Sequence, residues 1–126
     1  MDTVSPNENS YIGAAAILEK KQKYIMPCLG HFYSEPRQIV RGEMQYLYDS
    51  AGRKYLDCFA GVSVINCGHC NPAINNAVTE QLNTLQHVCN IYLTENFVNL
   101  AERLARITPG KLQKSFFCST GTEANE

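Results

Sequence analysis

The sequence predicts an α/β protein, and three observations support this fold class. Residues 38–59 show the short alternating pattern of antiparallel strands joined by a turn, whereas residues 71–107 repeat apolar side chains every three or four positions. Residues 114–118 form a short apolar run, which is typical of a buried strand, and a turn of small residues and a helix start follow it. Strand and helix patterns therefore occur together in one chain of 126 residues.

The predicted strands before residue 60 form a small antiparallel sheet. Gln38–Arg41 is one candidate strand, and Met44–Tyr48 is a second whose side chains alternate between two faces. Asp49–Gly52 places Asp first and Gly fourth, as a type I turn prefers. Lys54–Phe59 can then return as the partner strand of a hairpin.

Two amphipathic helices are predicted after the hairpin, and a shorter helix before it. Asn71 supplies an N-cap and Pro72 the first helical position, where its missing N–H is not needed. The apolar stripe of this helix consists of Ile74, Ala77, Val78, Leu82, Leu85 and Val88. The second helix begins near residues 94–96 and ends at Pro109, and residues 11–23 predict the shorter one.

Residues 114–126 place a strand, a turn and a helix start in series. Within Ser119–Thr122, Gly121 lets the backbone approach a ligand closely, and the N–H groups of the next helical turn point outward. The helix dipole adds partial positive charge there, and threonine hydroxyls can donate to phosphate oxygens. An anion site and an ordinary threonine-capped turn both fit this pattern. A P-loop Gly-Lys-Ser/Thr and a three-glycine dinucleotide fingerprint are both absent from it.

The same segment predicts that the chain is a piece of a longer protein. The sequence stops within the first turn of a helix, and a single turn is not stable by itself. The apolar strand before it would also need parallel neighbours to cover its edges. We expect further chain to supply both.

Composition argues against several classes of partner. With 11 Lys and Arg against 12 Asp and Glu, the chain has a net charge of −1 and lacks the basic excess with which proteins bind nucleic acid. Its longest apolar run is far shorter than the ~20 residues of a membrane-spanning helix. Residues 1–10 show neither a secretion signal nor an Arg-rich transit peptide. We expect a cytoplasmic protein with reduced cysteines and no nucleic-acid or membrane partner.

Three motifs along the chain belong together. Tyr55–Gly61 has the sequence Tyr-Leu-Asp-Cys-Phe-Ala-Gly, Gly68–Pro72 is Gly-His-Cys-Asn-Pro, and Ser119–Glu126 is Ser-Thr-Gly-Thr-Glu-Ala-Asn-Glu. In this order they resemble the YLD-aromatic-x-x-G, GHxHP and phosphate-binding motifs of class III aminotransferases, which are fold-type-I enzymes that use pyridoxal 5′-phosphate. Asn71 stands where that family has a second histidine. Residues 26–42 are particularly similar to the alanine–glyoxylate aminotransferase 2 branch.

The resemblance covers about residues 24–126 and implies the N-terminal part of a homodimeric fold-type-I transferase. Residues 1–23 would be a tail and a short helix, and residues 24–70 a small-domain segment that contains the hairpin. Residues 71–126 would lead into the large cofactor-binding domain, of which residues 114–118 would be the first strand.

The resemblance also implies roles for individual residues. The 5′-phosphate of the cofactor would be bound by Thr120, Gly121 and Thr122, with Thr120 where the family more often has serine. Val62, Phe32 and Tyr33 would face the substrate. The lysine that bonds to the cofactor, the acid on its pyridine nitrogen and the arginine for the substrate carboxylate would lie downstream. We therefore expect no catalytic residue in this chain, which alone would be inactive. The full-length enzyme would move an amino group from an amino acid to a 2-oxo acid.

Two alternative functions would use the cysteines. Cys67 and Cys70 form a Cys-x-x-Cys, as in a thioredoxin-like disulfide oxidoreductase. The predicted helix starts after the second cysteine, however, and the preceding strands are antiparallel rather than part of a βαβ unit. A zinc site would combine Cys67, His69 and Cys70 with Cys58 or Cys89, but the second Cys-x-x-Cys of a structural zinc site is missing. We expect neither activity and no metal.

Overall fold

The computed structural model describes residues 11–126, and the predicted tail at residues 1–10 lies outside them. The chain divides into two compact units, Met1–Leu82 and Asn83–Glu126. The helices are α1 (Ala14–Tyr24), α2 (Ala60–Ser63), α3 (Pro72–Thr84), α4 (Glu95–Ile107) and α5 (Gly121–Asn125), and the strands are β1 (Ile39–Glu43), β2 (Tyr46–Asp49) and β3 (Lys54–Leu56). This is the α/β composition that the sequence predicts.

The three strands form one antiparallel sheet in the order β1-β2-β3. Tyr46 lies at its centre, where it pairs with Glu43 on one side and with Leu56 on the other. The turn between β2 and β3 is closed by the Gly52 N–H, which donates to the Asp49 carbonyl at 3.0 Å. The predicted hairpin is therefore confirmed, although its last strand is shorter than the sequence pattern indicated.

Asp49 is the one described residue that is buried, with 4% of its surface exposed. Its carboxylate accepts hydrogen bonds from the backbone N–H groups of Ala51 and Arg53 at 3.0 and 2.9 Å. The Tyr55 hydroxyl donates to the other oxygen at 2.7 Å. The hydrogen bond from Tyr55 lowers the pKa of Asp49 most strongly. A buried carboxylate, rather than apolar packing, thus fixes the turn of the hairpin.

Helices α3 and α4 begin where the sequence predicts. Asn71 caps α3 by accepting the Ala73 N–H at 3.0 Å on its side-chain oxygen. α3 ends at Thr84, however, so that the predicted stripe extends too far and its last two members, Leu85 and Val88, follow the helix. Asn83 and Thr84, which close α3, have low helix propensity, and apolar spacing alone does not keep a helix going. α4 begins after Thr94 and ends at Ile107, as predicted.

The predicted strand at residues 114–118 differs in the structure. Residues 112–118 form neither a helix nor a strand, and no strand among residues 11–126 pairs with them. A strand exists only through the hydrogen-bond ladder to its neighbour, which the apolar run in the sequence cannot supply. Phe117 instead contacts Phe97 of α4, with the ring centroids 5.0 Å apart.

Apolar side chains remain exposed throughout the described residues. None of them is buried there, and of the elements in this range only the strands pack against one another. Leu100, in the middle of the strongly amphipathic α4, is 48% exposed. The six cysteines, all within residues 11–126, are free and exposed. Over the same range, no helix has the length and apolar character needed to cross a bilayer.

We predict that the 126-residue chain, produced alone, does not unfold cooperatively. Cooperative stability requires a buried apolar core, and the described residues have none. Urea titration followed by near- and far-ultraviolet circular dichroism should give broad transitions that do not coincide. The chain should also bind the dye ANS. A single sharp transition, identical by both probes and without dye binding, would contradict this prediction.

Candidate functional site

The Thr-Gly-Thr turn is held by a reciprocal capping arrangement at the start of α5. The Thr120 hydroxyl oxygen accepts the Glu123 N–H at 3.2 Å. In return, the Glu123 carboxylate accepts the N–H groups of Ser119 and Thr120 at 2.9 and 3.0 Å. This is a capping box, which satisfies backbone donors at both ends of the turn. The turn is thus ordered by its own residues.

The capping box leaves a particular set of donors for a ligand. The N–H groups of Gly121 and Thr122 have no acceptor within the helix, because they belong to its first turn. The Thr120 hydroxyl accepts one bond and keeps its proton to donate, and within residues 11–126 the Thr122 hydroxyl has no partner. A Cβ at Gly121 would meet no atom within 4 Å. Donors with open space before them suit a phosphate, so the turn fits the 5′-phosphate of pyridoxal phosphate.

A second feature, in the other unit, is a short contact between Asp57 and His69. The two side chains are 8% and 21% exposed, and Nε2 lies 2.6 Å from Oδ2. The hydrogen bond from His69 is the main cause that lowers the pKa of Asp57, and the Ala60 N–H also contributes. An ionised carboxylate only accepts, so the His69 Nε2–H donates. The pair links positions 12 residues apart.

Two further features hold His69 in place. These are its backbone hydrogen bonds and the lack of a side chain at Gly42, which lies opposite it. Its N–H donates to the Met44 carbonyl at 2.7 Å, and its carbonyl accepts the Met44 N–H at 2.8 Å. A Cβ on Gly42 would lie 2.8 Å from the Cβ of His69, closer than such atoms approach. Only glycine at position 42 therefore lets His69 pack against β1. His69 is thus joined to the edge of the sheet.

Between Asp57 and His69, the chain forms a left-handed helical turn. The φ angles of Ala60, Gly61, Val62 and Ser63 are 49°, 60°, 66° and 64°. Left-handed backbone is unfavourable by roughly 1–2 kcal/mol for each residue other than glycine, and it is rare for a β-branched residue such as valine. The turn is closed by bonds from the Ser63 N–H to the Phe59 carbonyl and from the Val64 N–H to the Ala60 carbonyl, at 3.0 and 2.9 Å.

Of the three residues expected to face the substrate, two line the same cleft. Phe32 and Tyr33 line an open cleft of about 770 Å³, together with Arg37, Tyr55 and other residues of the first unit. Val62 is not among the lining residues, and its side chain is 71% exposed on the left-handed turn. The expected phosphate site at residues 120–122 belongs to the second unit.

The two alternative functions gain no support from the structure. α3 begins at Pro72, after Cys70, and the strands before Cys67 are antiparallel, so the redox arrangement of a cysteine at a helix start is not formed. In the part of the chain that the structure describes, no group of three or more His, Cys, Asp or Glu side chains is placed to hold a metal ion.

Comparison with known proteins places these features in one family. Residues 31–126 match the family profile described as aminotransferase class-III. The chain belongs to the class III aminotransferases. Over 118 residues it is 45% identical to the protein named alanine–glyoxylate aminotransferase 2 homolog 2, mitochondrial, of Arabidopsis thaliana, covering 92% of this chain and 25% of that protein. The expected family is thus confirmed, and the chain spans about a quarter of the length of this relative.

Solved transaminase structures share the fold of this class III chain. The (S)-enantioselective omega-transaminase of Thermomicrobium roseum has a TM-score of 0.75 and 32% identity, over 89% of this chain and 26% of that one. The omega transaminase of Pseudomonas jessenii, in complex with PMP, has a TM-score of 0.69 and 32% identity, over 85% and 25%. These likenesses confirm the fold-type-I class, and pyridoxal phosphate is the cofactor of this family.

Three residues that are not among the expected site residues organise these features. Glu123 lies three residues after Thr120, and that spacing is the sequence signature of a capping box. Asp57 and His69 belong to the YLD and GH motifs, but their contact joins two motifs and has no local signal. The sequence spacing therefore predicts the capping role of Glu123, whereas nothing in the sequence predicts that Asp57 and His69 form a pair.

We predict that Gly42→Ala destabilises the packing of His69 against β1 by about 1–3 kcal/mol, because the new Cβ would overlap His69. The free energy of unfolding, from urea titration, measures the effect. Gly30→Ala is the matched control, since nothing lies within 4 Å of a Cβ there and its φ is not positive. A Gly42→Ala protein as stable as the Gly30→Ala protein would contradict the tight packing at position 42.

Proposed function

We propose that this chain is the N-terminal quarter of a pyridoxal-phosphate aminotransferase, which moves an amino group from an amino acid to a 2-oxo acid. The observation that carries the proposal is the capped Thr-Gly-Thr turn, with free donors at its tip, in a chain that matches the class III family from residue 31 to residue 126. Catalytic lysine, acid and arginine residues would be supplied by sequence downstream of Glu126.

In this proposal, the chain holds the phosphate end of the cofactor. The backbone N–H groups of Gly121 and Thr122 and the hydroxyls of Thr120 and Thr122 are all donors, which suits a doubly charged phosphate. The bound cofactor would supply the electron-withdrawing ring on which amino-group transfer depends. The capping box orders these donors beforehand, so that binding need not pay for ordering the turn.

On the substrate side, we propose contacts from Val62, Phe32 and Tyr33. The left-handed turn leaves the Val62 side chain exposed, and a branched apolar side chain suits a small amino acid better than a second charged group. Phe32 and Tyr33 form part of the wall of the cleft in the first unit. These assignments are supported by the resemblance and by the exposure of the three side chains.

We further propose that the full-length enzyme is a homodimer. The proposal is supported by the family resemblance and by the exposed apolar faces of the described helices, which need a covering surface. The cytoplasmic location expected from the composition of residues 1–10 stays a prediction, and the Arabidopsis thaliana relative is named mitochondrial.

We predict that the full-length protein, incubated with pyridoxal phosphate, shows an absorbance band above 400 nm that borohydride bleaches. The coenzyme bound covalently through a lysine has these properties, whereas free coenzyme is removed by dialysis. Transfer of an amino group from alanine to a 2-oxo acid should then be measurable. A dialysed protein that stays colourless and inactive would contradict the proposed function.

We predict that Thr122→Val weakens the binding of pyridoxal phosphate to the full-length enzyme by about tenfold or more, since one hydroxyl bond to a charged group is lost. Within residues 11–126 this hydroxyl has no other partner, so the capping box should stay intact. Thr122→Ser keeps the hydroxyl and is the matched control. Cofactor titration, followed by absorbance, gives both dissociation constants, and equal values for the two variants would exclude a contact from this side chain.

A further inference from the structure

The left-handed turn at Ala60–Ser63 has little apolar packing to hold it. No other helix or strand of the described chain packs against α2, and Val62 within it is 71% exposed. A valine with φ of 66° would return to extended or right-handed backbone unless something restrained it. Its side chain would then point in another direction. The restraint must therefore come from hydrogen bonds.

Asp57 supplies the restraint at the start of the turn. Its Oδ1 accepts the N–H groups of Phe59 and Ala60 at 3.0 and 2.9 Å, as a helix cap does. Its own N–H donates to the Gln45 carbonyl at 2.9 Å, which ties it to the chain next to β2. One carboxylate oxygen is thus dedicated to the backbone that enters the left-handed turn.

His69 supplies the restraint on the other side of Asp57. The second carboxylate oxygen accepts its Nε2–H at 2.6 Å, and the backbone of His69 is bonded in both directions to Met44. The Gly68 that precedes it has a φ of 90° and would clash with Met44 if it carried a Cβ, 3.1 Å from the Met44 Cα. Asp57 therefore cannot rotate away from the turn without breaking the contact to a residue that the sheet holds in place.

We propose that Asp57 and His69 are positioning residues, which hold Ala60–Ser63 in the left-handed conformation and so set the direction of Val62 and the size of substrate that the enzyme accepts. This inference rests on the proposed function, because it takes Val62 to face the substrate. Neither side chain needs to touch the substrate. Loss of Asp57 frees the turn, and Val62 then no longer limits the space beside the amino acid.

The test compares two hydrogen-bonded carboxylates of the same unit in the full-length holoenzyme. Asp57→Ala removes the carboxylate that holds the turn. Asp57→Asn keeps an oxygen for the two backbone N–H groups, and its NH2 group can donate to His69 Nε2 when the ring carries its proton on Nδ1. Asp49→Ala removes an equally well-bonded carboxylate at the hairpin turn. The measured quantity is the ratio of kcat/KM for alanine to kcat/KM for phenylalanine as amino donor.

We predict that Asp57→Ala lowers this ratio by about tenfold, mainly through KM, because the proposed substrate site loses the apolar boundary formed by the Val62 side chain. Asp57→Asn and Asp49→Ala should stay within about twofold of the wild type. A ratio unchanged in Asp57→Ala, or lowered equally in Asp49→Ala, would overturn the inference. If Asp57→Ala is insoluble, His69→Ala takes its place with the same expected shift.

Hydrogen exchange of the cofactor-free protein gives a readout that does not depend on activity. The amides of Ser63, Val64 and Ile65 donate within the turn, to carbonyls of Phe59 and Ala60. Their exchange should be faster in Asp57→Ala than in Asp49→Ala by about tenfold or more. Equal exchange in the two variants would overturn the proposed role of Asp57 in holding the turn, even if the wild type proved to have no transaminase activity. An inactive wild type with fast exchange only in Asp57→Ala would instead overturn the proposed function alone.

Discussion

The hydrogen bond between Asp57 and His69 is the contact on which the first unit depends. It joins Asp57, which follows strand β3, to His69, which lies 12 residues further along the chain. The left-handed turn lies between them. Because His69 is bonded in both directions to Met44, the contact also connects this segment to the small sheet. Without it, the Asp57 carboxylate would be bonded only to the N–H groups of Phe59 and Ala60.

Polar contacts order this chain more than apolar burial does. Asp49 and Asp57 each accept several hydrogen bonds with one carboxylate, and the first of them is the single buried residue among those described. A hydrogen bond contributes only about 1 kcal/mol net, so such networks define local geometry better than they supply global stability. The amphipathic face of α4 is apolar surface that further protein could cover.

At the other end of the chain, hydrogen bonds likewise order the Thr-Gly-Thr turn. Glu123 accepts the backbone N–H groups of Ser119 and Thr120, and the donors of Gly121 and Thr122 remain. The shape of the turn is thereby fixed by its own residues, and a turn that is already ordered loses less entropy when it binds a ligand.

The sequence by itself determined the features whose physics is local. The hairpin over residues 38–59, the Asn71 cap, the limits of α4 and the Thr-Gly-Thr turn depend on neighbouring residues and were predictable, as was the family from its ordered motifs. Only the tertiary structure decided the pairing of Asp57 with His69, the left-handed backbone of Val62 and the lack of a strand at residues 114–118. Each of these depends on which distant residue approaches, or fails to approach, and no periodicity along the chain encodes that distance.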